Sequence, residues 1–227
     1  MRVGAIAHAR MSSSRLPGKV LRPLAGRPAL ALLLDRLALA REPDVVAVAT
    51  SDRPEDDPIA ELCAARGTPC HRGPLDDVAA RMLGAAEALG LDAFVRVNGD
   101  SPLIDPALVD RAIRLLHARG CDLVTNVFPR SFPVGQSVEA IRVEAMRTAV
   151  AEMTDPAHRE HVTQWFYAHP ERVRIESFTS DDGDFSEMVL ALDTPEDAAA
   201  VEAVVARMER PVEEYGWREI AELRRSL

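Results

Sequence analysis

The chain of 227 residues is 47% hydrophobic and 4% aromatic, which suffices for one full core and differs from the composition of a disordered segment. Its formal charge of −9 argues against a nucleic-acid partner, and no apolar run approaches the roughly 18 residues of a membrane span. Three cysteines without Cys-x-x-Cys spacing indicate neither a disulfide framework nor a zinc site, so we expect a cytoplasmic protein. From the length we expect one domain, residues 1–227.

Strands and helices alternate along the first half of the sequence. Strands are predicted at 3–7, 44–50, 68–71, 93–97 and 122–125, and helices at 28–40, 54–66, 76–89 and 106–119. This alternation predicts an α/β fold with a mostly parallel sheet and helices on both faces. Such sheets bind ligands beyond the carboxyl ends of their strands, where the loops 10–19 and 98–105 begin.

The pattern is less regular in the second half. Helices are predicted at 143–152 and 157–168, a strand at 187–192, and helices at 195–207 and 217–225. We interpret residues 126–175 as an insertion within the domain, although an ordinary connection between strands explains the pattern equally well.

A basic loop follows the first strand. The only lysine among the 27 basic residues, Lys19, ends the segment 9–19, and residues 1–34 carry six basic and no acidic side chains. Such local positive charge on an acidic chain indicates a small anionic ligand. The hydroxyls of residues 12–14 and the permissive backbone of Gly18 favour phosphate. Neither the Walker pattern nor Gly-x-Gly-x-x-Gly is present, so phosphate is expected to be held mainly by side chains.

Two aspartates follow predicted strands near this loop. Asp100 lies in a polar turn, and Asp193 follows the predicted strand 187–192. Mg²⁺ takes one or two carboxylates, so both are candidate ligands, although a single aspartate at such a position is more often a helix N-cap. Asp105 fits that capping role better, and Thr194 can cap the helix after Asp193, which leaves Asp193 free to face the site.

Three segments together resemble the sugar-acid cytidylyltransferases, the family of CMP-Kdo synthetase and acylneuraminate cytidylyltransferase. They are Arg-x-x-Ser-x-Arg-Leu-Pro-Gly-Lys at 10–19, Asn-Gly-Asp-Ser-Pro-Leu-Ile at 98–104 and Leu-Asp-Thr-Pro-Glu-Asp at 192–197. Arg-Glu-His-Val-Thr at 159–163 and Phe-Pro-x-Gly at 132–135 are similar to the branch called spore coat polysaccharide biosynthesis protein F.

This resemblance implies a Rossmann-like nucleotidyltransferase fold of glycosyltransferase-A type and a CTP-dependent enzyme of polysaccharide or glycoconjugate biosynthesis. It also implies a homodimer, with the insertion 126–175 serving acceptor binding or dimerisation. Arg10, Lys19 and Asp100 would carry the chemistry, and Mg²⁺ would bind Asp100 and Asp193.

The resemblance further assigns nucleotide-binding residues. They are Ala9, Arg10, Ser13, Ser14, Arg15 and Lys19 in the loop, with Asp77 and Arg81 near the base or ribose. An ion pair between Asp77 and Arg81 on one helix face is an equally good explanation of those two residues.

The segment expected to meet the acceptor departs from the family branch. That branch often reads Phe-Pro-Asp-Gly-Leu-Asp-Val-Glu, whereas this chain has Val134 and Ser137 in place of the two acids. Because loss of two carboxylates removes repulsion, we expect a small anionic or sugar acceptor. The residues expected to bind it are Arg130, Gln136, Glu139, Arg159 and His161.

Two alternatives stay open. A glycosyltransferase of the same architecture would use a finished nucleotide sugar, whose diphosphate has less need of so basic a loop. A catalytically silent nucleotide-binding subunit is the other, and the presence of Lys19, Asp100 and Asp193 argues against it.

Overall fold

The structure, a computed structural model, describes residues 1–227. The strands are β1 (Val3–His8), β2 (Pro23–Leu24), β3 (Arg27–Pro28), β4 (Val45–Ser51), β5 (Cys70–Gly73), β6 (Ala93–Asn98), β7 (Leu123–Thr125), β8 (Glu139–Arg142) and β9 (Ile175–Ser177). The helices are α1 (Ala29–Leu37), α2 (Asp57–Arg66), α3 (Val78–Ala88), α4 (Pro106–Arg119), α5 (Val143–Glu152), α6 (Pro156–Glu160), α7 (Gln164–Ala168), α8 (Pro195–Val205) and α9 (Trp217–Arg225).

Seven of the strands form one sheet, in the order β5-β4-β1-β6-β8-β7-β9. The strands from β5 to β6 are parallel, whereas β8 runs antiparallel to both of its neighbours, β6 and β7. The predicted α/β fold with a mostly parallel sheet is confirmed.

Both faces of the sheet are covered by helices. Val3, Ala5 and Ala7 of β1 belong to one buried cluster, which includes residues of α1, α2 and α4, whereas Ile6 belongs to another with residues of α3 and α5. This two-residue alternation buries side chains on both faces, and each fully buried Val, Leu or Ile contributes about 1.5–3 kcal/mol.

The chain changes direction across the sheet between β1 and β6. From β1 it proceeds to β4 and β5 on one side and then returns to β6 on the other, so a crevice opens at the carboxyl ends of β1 and β6. His8 and Asn98 end these strands in register. Gly99 follows, and a Cβ there would lie 2.7 Å from the carbonyl oxygen of His8. Only glycine therefore allows this close approach without a backbone shift.

The second half differs most from the prediction. The predicted strand 187–192 is wrong, because only one isolated bridge, between Val134 and Val189, forms there. Its leucines, Leu190 and Leu192, are buried in a third cluster with residues of α8, so the apolar pattern reflects packing. The predicted helix 157–168 is divided into α6 and α7.

Four short strands escaped prediction: β2 and β3, which form a separate two-stranded sheet, and β8 and β9 of the central sheet. Since β8 lies between β6 and β7, the segment 126–175 contributes a strand to the central sheet. Its role in acceptor binding or dimerisation stays a prediction.

Candidate active site

The basic loop lies at the carboxyl end of β1 and is held in a compact shape. Gly18 N donates to Met11 O over 2.9 Å, and Met11 N donates to Asp56 Oδ1 over 2.6 Å. Gly18 adopts a left-handed conformation with φ of 69°, after which a short 3-10 helix begins at Lys19. This turn directs the Lys19 side chain back into the crevice.

Lys19 contacts both candidate metal ligands. Its Nζ lies 2.6 Å from Asp100 Oδ2 and 3.1 Å from Asp193 Oδ1, and Arg15 Nη2 lies 2.6 Å from Asp193 Oδ2. The structure thus brings together four predicted residues from three distant parts of the chain.

Asp193 reaches this place through two local features. Leu192 N donates to Asp100 O over 2.8 Å, which ties the two aspartate segments together. Thr194 caps α8 in a reciprocal capping box with Asp197, so Asp193 is released from capping, as predicted. Asp105 caps α4, also as predicted.

The two aspartates suit a hard cation. They flank one cationic group, the Lys19 ammonium, at hydrogen-bond distance, which shows that a positive charge can be placed between them. The structure contains no group of three or more His, Cys, Asp or Glu side chains that could hold a metal ion. Two carboxylates completed by phosphate oxygens and water are the usual Mg²⁺ donor set in nucleotide enzymes, so the residues fit Mg²⁺.

A cleft of about 380 Å³ joins the loop to α3. Its lining includes Ala9, Arg10, Ser13, Ser14, Arg15, Lys19, Arg81, Asp100, His161 and Asp193, all of them residues predicted for the site. Arg10 Nη2 donates to Glu160 Oε1 over 2.7 Å, so this arginine is paired across the cleft.

His8 and Arg81 lie at the buried end of the cleft. Burial, followed by the charge of Arg96, holds the pKa of His8 well below its usual range, against the opposing effect of its 2.8 Å hydrogen bond to Asn98. His8 is therefore neutral at pH 7. Burial also lowers the pKa of Arg81, and the charge of Arg10 adds to this effect.

A second, smaller pocket adjoins the cleft and shares Arg96, Asn98 and His161 with it. Here Arg96 Nη1 donates to Glu139 Oε2 over 2.6 Å, and Tyr167 Oη donates to Glu139 Oε1 over 2.5 Å. Arg130 Nη1 donates to Ser137 Oγ over 3.1 Å. Burial lowers the pKa of Arg130 and, together with the charge of Glu139, raises that of Tyr167.

Three predicted site residues lie elsewhere. Arg159 pairs with Asp77, in a separate polar cavity of about 840 Å³, and Asp77 also caps α3. Gln136 is fully buried, and its amide bonds the backbone of Leu103 and Asp105. The ion pair between Asp77 and Arg81 does not form, because Asp77 is engaged by Arg159 and Arg81 donates instead to backbone carbonyls.

Sequence reasoning missed Arg96 and Tyr167. Arg96 is the one charged residue in the otherwise apolar strand Ala93–Val97, and this interruption was a usable signal. Tyr167 lies in an ordinary amphipathic segment, and no local pattern distinguishes it.

The chain is similar to known proteins in sequence and in structure. A family model described as cytidylyltransferase matches residues 5–215. The chain is 30% identical over 213 residues to the spore coat polysaccharide biosynthesis protein SpsF of Bacillus subtilis, covering 91% of this chain and 88% of that protein. It is also 37% identical over 115 residues to the 3-deoxy-manno-octulosonate cytidylyltransferase of Geobacter sulfurreducens, covering 50% and 44% of the two chains.

A solved structure agrees with these similarities. The cytidylyltransferase from Leptospira borgpetersenii superposes with a TM-score of 0.94 at 28% identity and covers all of this chain and 94% of its own. None of the helices has the length and apolar character needed to span a bilayer.

Proposed function

The chain belongs to the cytidylyltransferase family, and from this premise we propose that it transfers CMP from CTP to a hydroxyl of a sugar acid or a related small acceptor. The acceptor oxygen attacks the α-phosphorus, and the bond from that phosphorus to the oxygen bridging it to the β-phosphate breaks. Pyrophosphate leaves, and the proton of the hydroxyl passes to water.

The observation that carries this proposal is the convergence of Lys19 and Arg15 with Asp100 and Asp193. Two cations and two carboxylates sum to no net charge, so they alone do not neutralise a triphosphate. We propose that Asp100 and Asp193 hold Mg²⁺, which when bound would offset charge on the α-phosphate.

The basic and hydroxyl side chains of the loop would bind the outer phosphates. Arg10, Arg15 and Lys19 supply positive charge, and the hydroxyls of Ser13 and Ser14 can donate hydrogen bonds. Charge that builds up on the departing pyrophosphate is offset by groups already in place, which is the main source of catalysis in phosphoryl-type transfer.

The second pocket is the proposed acceptor site. It places Arg96 and Arg130 against one carboxylate, Glu139, with His161 at the boundary with the cleft. An excess of one positive charge favours an anionic acceptor. The relative that acts on 3-deoxy-manno-octulosonate supports an acid, and the similarity to SpsF supports a place in polysaccharide synthesis. Homodimer formation through residues 126–175 remains part of the proposal.

Thermal unfolding with CTP, UTP, GTP or ATP, each with Mg²⁺, tests the nucleotide half, since a ligand of the folded state raises its stability. We expect stabilisation by CTP that Lys19→Ala abolishes. Pyrophosphate release with 3-deoxy-manno-octulosonate and N-acetylneuraminate then tests the acceptor half. Stabilisation only by nucleotide sugars would instead indicate a glycosyltransferase, and CTP binding without turnover on any acceptor would indicate a silent subunit.

A further inference from the structure

His161 lies where the two cavities meet. The cleft and the second pocket share three lining residues, Arg96, Asn98 and His161. Asn98 belongs to the same turn after β6 as Asp100, so this boundary adjoins a carboxylate proposed to hold Mg²⁺ at the α-phosphate. An acceptor in the second pocket therefore has to present its hydroxyl to the α-phosphate beside these three side chains.

Of the three side chains, only that of His161 is free to meet a substrate. The Arg96 guanidinium donates to Glu139, and the Asn98 amide oxygen lies 2.8 Å from His8 Nε2. His161 is exposed, and its imidazole makes no hydrogen bond or ion pair within the protein. Its backbone is nevertheless held in place, because its N–H donates to a carbonyl oxygen of α6. The imidazole is thus fixed at its root and unengaged at its tip.

The carboxylates that line the two cavities are already paired with cations. Glu139 is paired with Arg96, Asp100 and Asp193 with Lys19, and Glu160 with Arg10. A hydrogen bond from a cation stabilises the carboxylate anion and weakens it as a base. The bond from Arg10 in this way lowers the pKa of Glu160. None of the four carboxylates is therefore well suited to accept a proton from a substrate.

Two further titratable groups, His8 and Tyr167, are also poor bases. Burial, followed by the charge of Arg96, holds the pKa of His8 well below its usual range. Burial, followed by the charge of Glu139, raises the pKa of Tyr167, so its hydroxyl stays protonated. An imidazole is the side chain that most often exchanges protons near neutral pH, and His161 offers one without a partner.

We infer that His161 is a catalytic residue that accepts the proton of the acceptor hydroxyl as the oxygen attacks. The O–H bond breaks, and its proton goes to an imidazole nitrogen. The oxygen bonds to the α-phosphorus, and the electron pair of the broken phosphorus–oxygen bond leaves with pyrophosphate. The imidazolium then releases the proton to water, so the overall reaction is unchanged. This inference rests on the proposed function and deepens it by naming the group that carries the proton.

The test compares the wild type with His161→Gln in a single turnover, so that product release does not mask the chemical step. CTP and Mg²⁺ are supplied with 3-deoxy-manno-octulosonate or N-acetylneuraminate, and pyrophosphate is measured. Glutamine keeps hydrogen-bonding groups but cannot take the proton. His161→Gln should lower the rate at saturating substrate by about 10²-fold or more, the range of general-base catalysis. The dissociation constant of CTP and the half-saturating acceptor concentration should each change by less than about threefold.

Two further measurements distinguish a base from a residue that only binds the acceptor. Imidazole accepts a proton only while it is neutral, so the wild-type rate should fall at acid pH, and this fall should be absent from His161→Gln. The charged groups named above, together with Arg15, Arg81 and Arg130, face the two cavities in both proteins, so their titrations affect both profiles alike. Added imidazole should restore part of the rate of His161→Ala, because it can enter the space left by the side chain.

His158→Gln is the matched control. His158 lies on α6, three residues before His161, packs edge-on against His169 and lines neither cavity. Its substitution should leave the rate and the pH profile unchanged. Because His161 is exposed, its variants should fold, which their melting temperatures check.

The outcomes separate this inference from the proposed function. A His161→Gln variant that weakens only acceptor binding and keeps the wild-type pH profile would make His161 a binding residue. A rate within about threefold of wild type would give it no part in the chemistry. Either result overturns the inference and leaves the proposed function intact. A wild type that releases no pyrophosphate from CTP with either acid would overturn the proposed function, and the inference with it.

Discussion

Two regions pair their charges in different ways. One is the proposed phosphate end of the cleft, around Arg15, Lys19, Asp100 and Asp193, and the other is the second pocket. At the phosphate end, Lys19 contacts two aspartates whose side chains are 23% and 29% exposed, and all three residues lie outside the strands of the sheet. In the second pocket, Arg96 and Glu139 have side chains 14% and 3% exposed and stand in register on β6 and β8.

The two regions therefore differ in whether a bound ligand can rearrange their charged pairs. The Lys19 side chain is itself only 13% exposed, so the two regions differ in their carboxylates rather than in their cations. Because Asp100 and Asp193 are reached by solvent and lie in loops, Lys19 can exchange them for another partner, and the phosphate end is suited to releasing its cations to a nucleotide. A buried pair that also accepts from Tyr167 is costly to break and therefore fixes a shape. We expect mutations at the phosphate end to affect activity more than stability, and those in the second pocket to affect both.

Lys19→Met should have the largest effect on activity. Removing a charge that offsets the departing pyrophosphate should lower kcat/KM by about 10²–10³, whereas the unfolding free energy should change by about 1 kcal/mol or less. Pyrophosphate release and urea unfolding measure the two quantities. Arg22→Met, which removes an exposed pair with Glu202, is the control and should change neither appreciably. Activity within tenfold of wild type would contradict the role given to Lys19.

The same contrast explains what the sequence could reveal. The phosphate end is formed by short segments of consecutive residues, such as the loop 9–19 and the segment 192–197. The sequence alone therefore predicts which residues form it. Strand β1 and helix α4 were also predicted closely, because a continuous apolar run and a proline-started helix with a capping aspartate are local signals.

The second pocket depends on contacts between distant residues. Glu139 and Arg96 are 43 positions apart, and β8 is a strand of four residues that only its neighbours stabilise. Gln136 looked like an acceptor ligand because of its position in a motif, yet its amide satisfies two backbone groups 31 and 33 positions away. Local patterns contain no information of this kind.

Gly99→Ala tests whether the close approach of β1 and the Asp100 turn matters to the fold. The new Cβ would lie 2.7 Å from His8 O and 2.8 Å from the Cβ of Ala9. Because one of these is a backbone atom, the turn must shift, at a cost of about 1–3 kcal/mol. Gly4→Ala is the control, since its nearest contact is the flexible end of Leu91. Equal losses in urea unfolding would mean that the Asp100 turn moves freely.

Tyr167→Phe tests the fixed shape of the second pocket. It removes the hydroxyl that donates to Glu139 and lies 2.8 Å from Thr125 Oγ1, which should cost about 1 kcal/mol of unfolding free energy. KM for the acceptor should rise, while the dissociation constant of CTP should stay the same. A change in CTP affinity equal to that in acceptor KM would show that the two regions are not independent.

Glu160→Gln should have the smallest effect of these substitutions. It tests the phosphate end by removing the carboxylate that pairs with Arg10. The hydrogen bond from Arg10 holds the pKa of Glu160 below its usual range. A lowered carboxyl pKa adds stability above the unfolded value of about 4.3. That stability is lost as the pH falls through the folded pKa.

Because Glu160 is 46% exposed, its pair with Arg10 should contribute only a few tenths of a kcal/mol. The difference in unfolding free energy between wild type and Glu160→Gln should therefore be small at pH 7 and vanish once the pH has fallen below the lowered pKa of Glu160. Glu144→Gln, at an exposed site, is the control. Freed from Glu160, Arg10 should bind phosphate better and tighten CTP by about twofold. Weaker CTP binding would instead mean that Glu160 orients Arg10, and the exchange of partners proposed for this end of the cleft would not hold there.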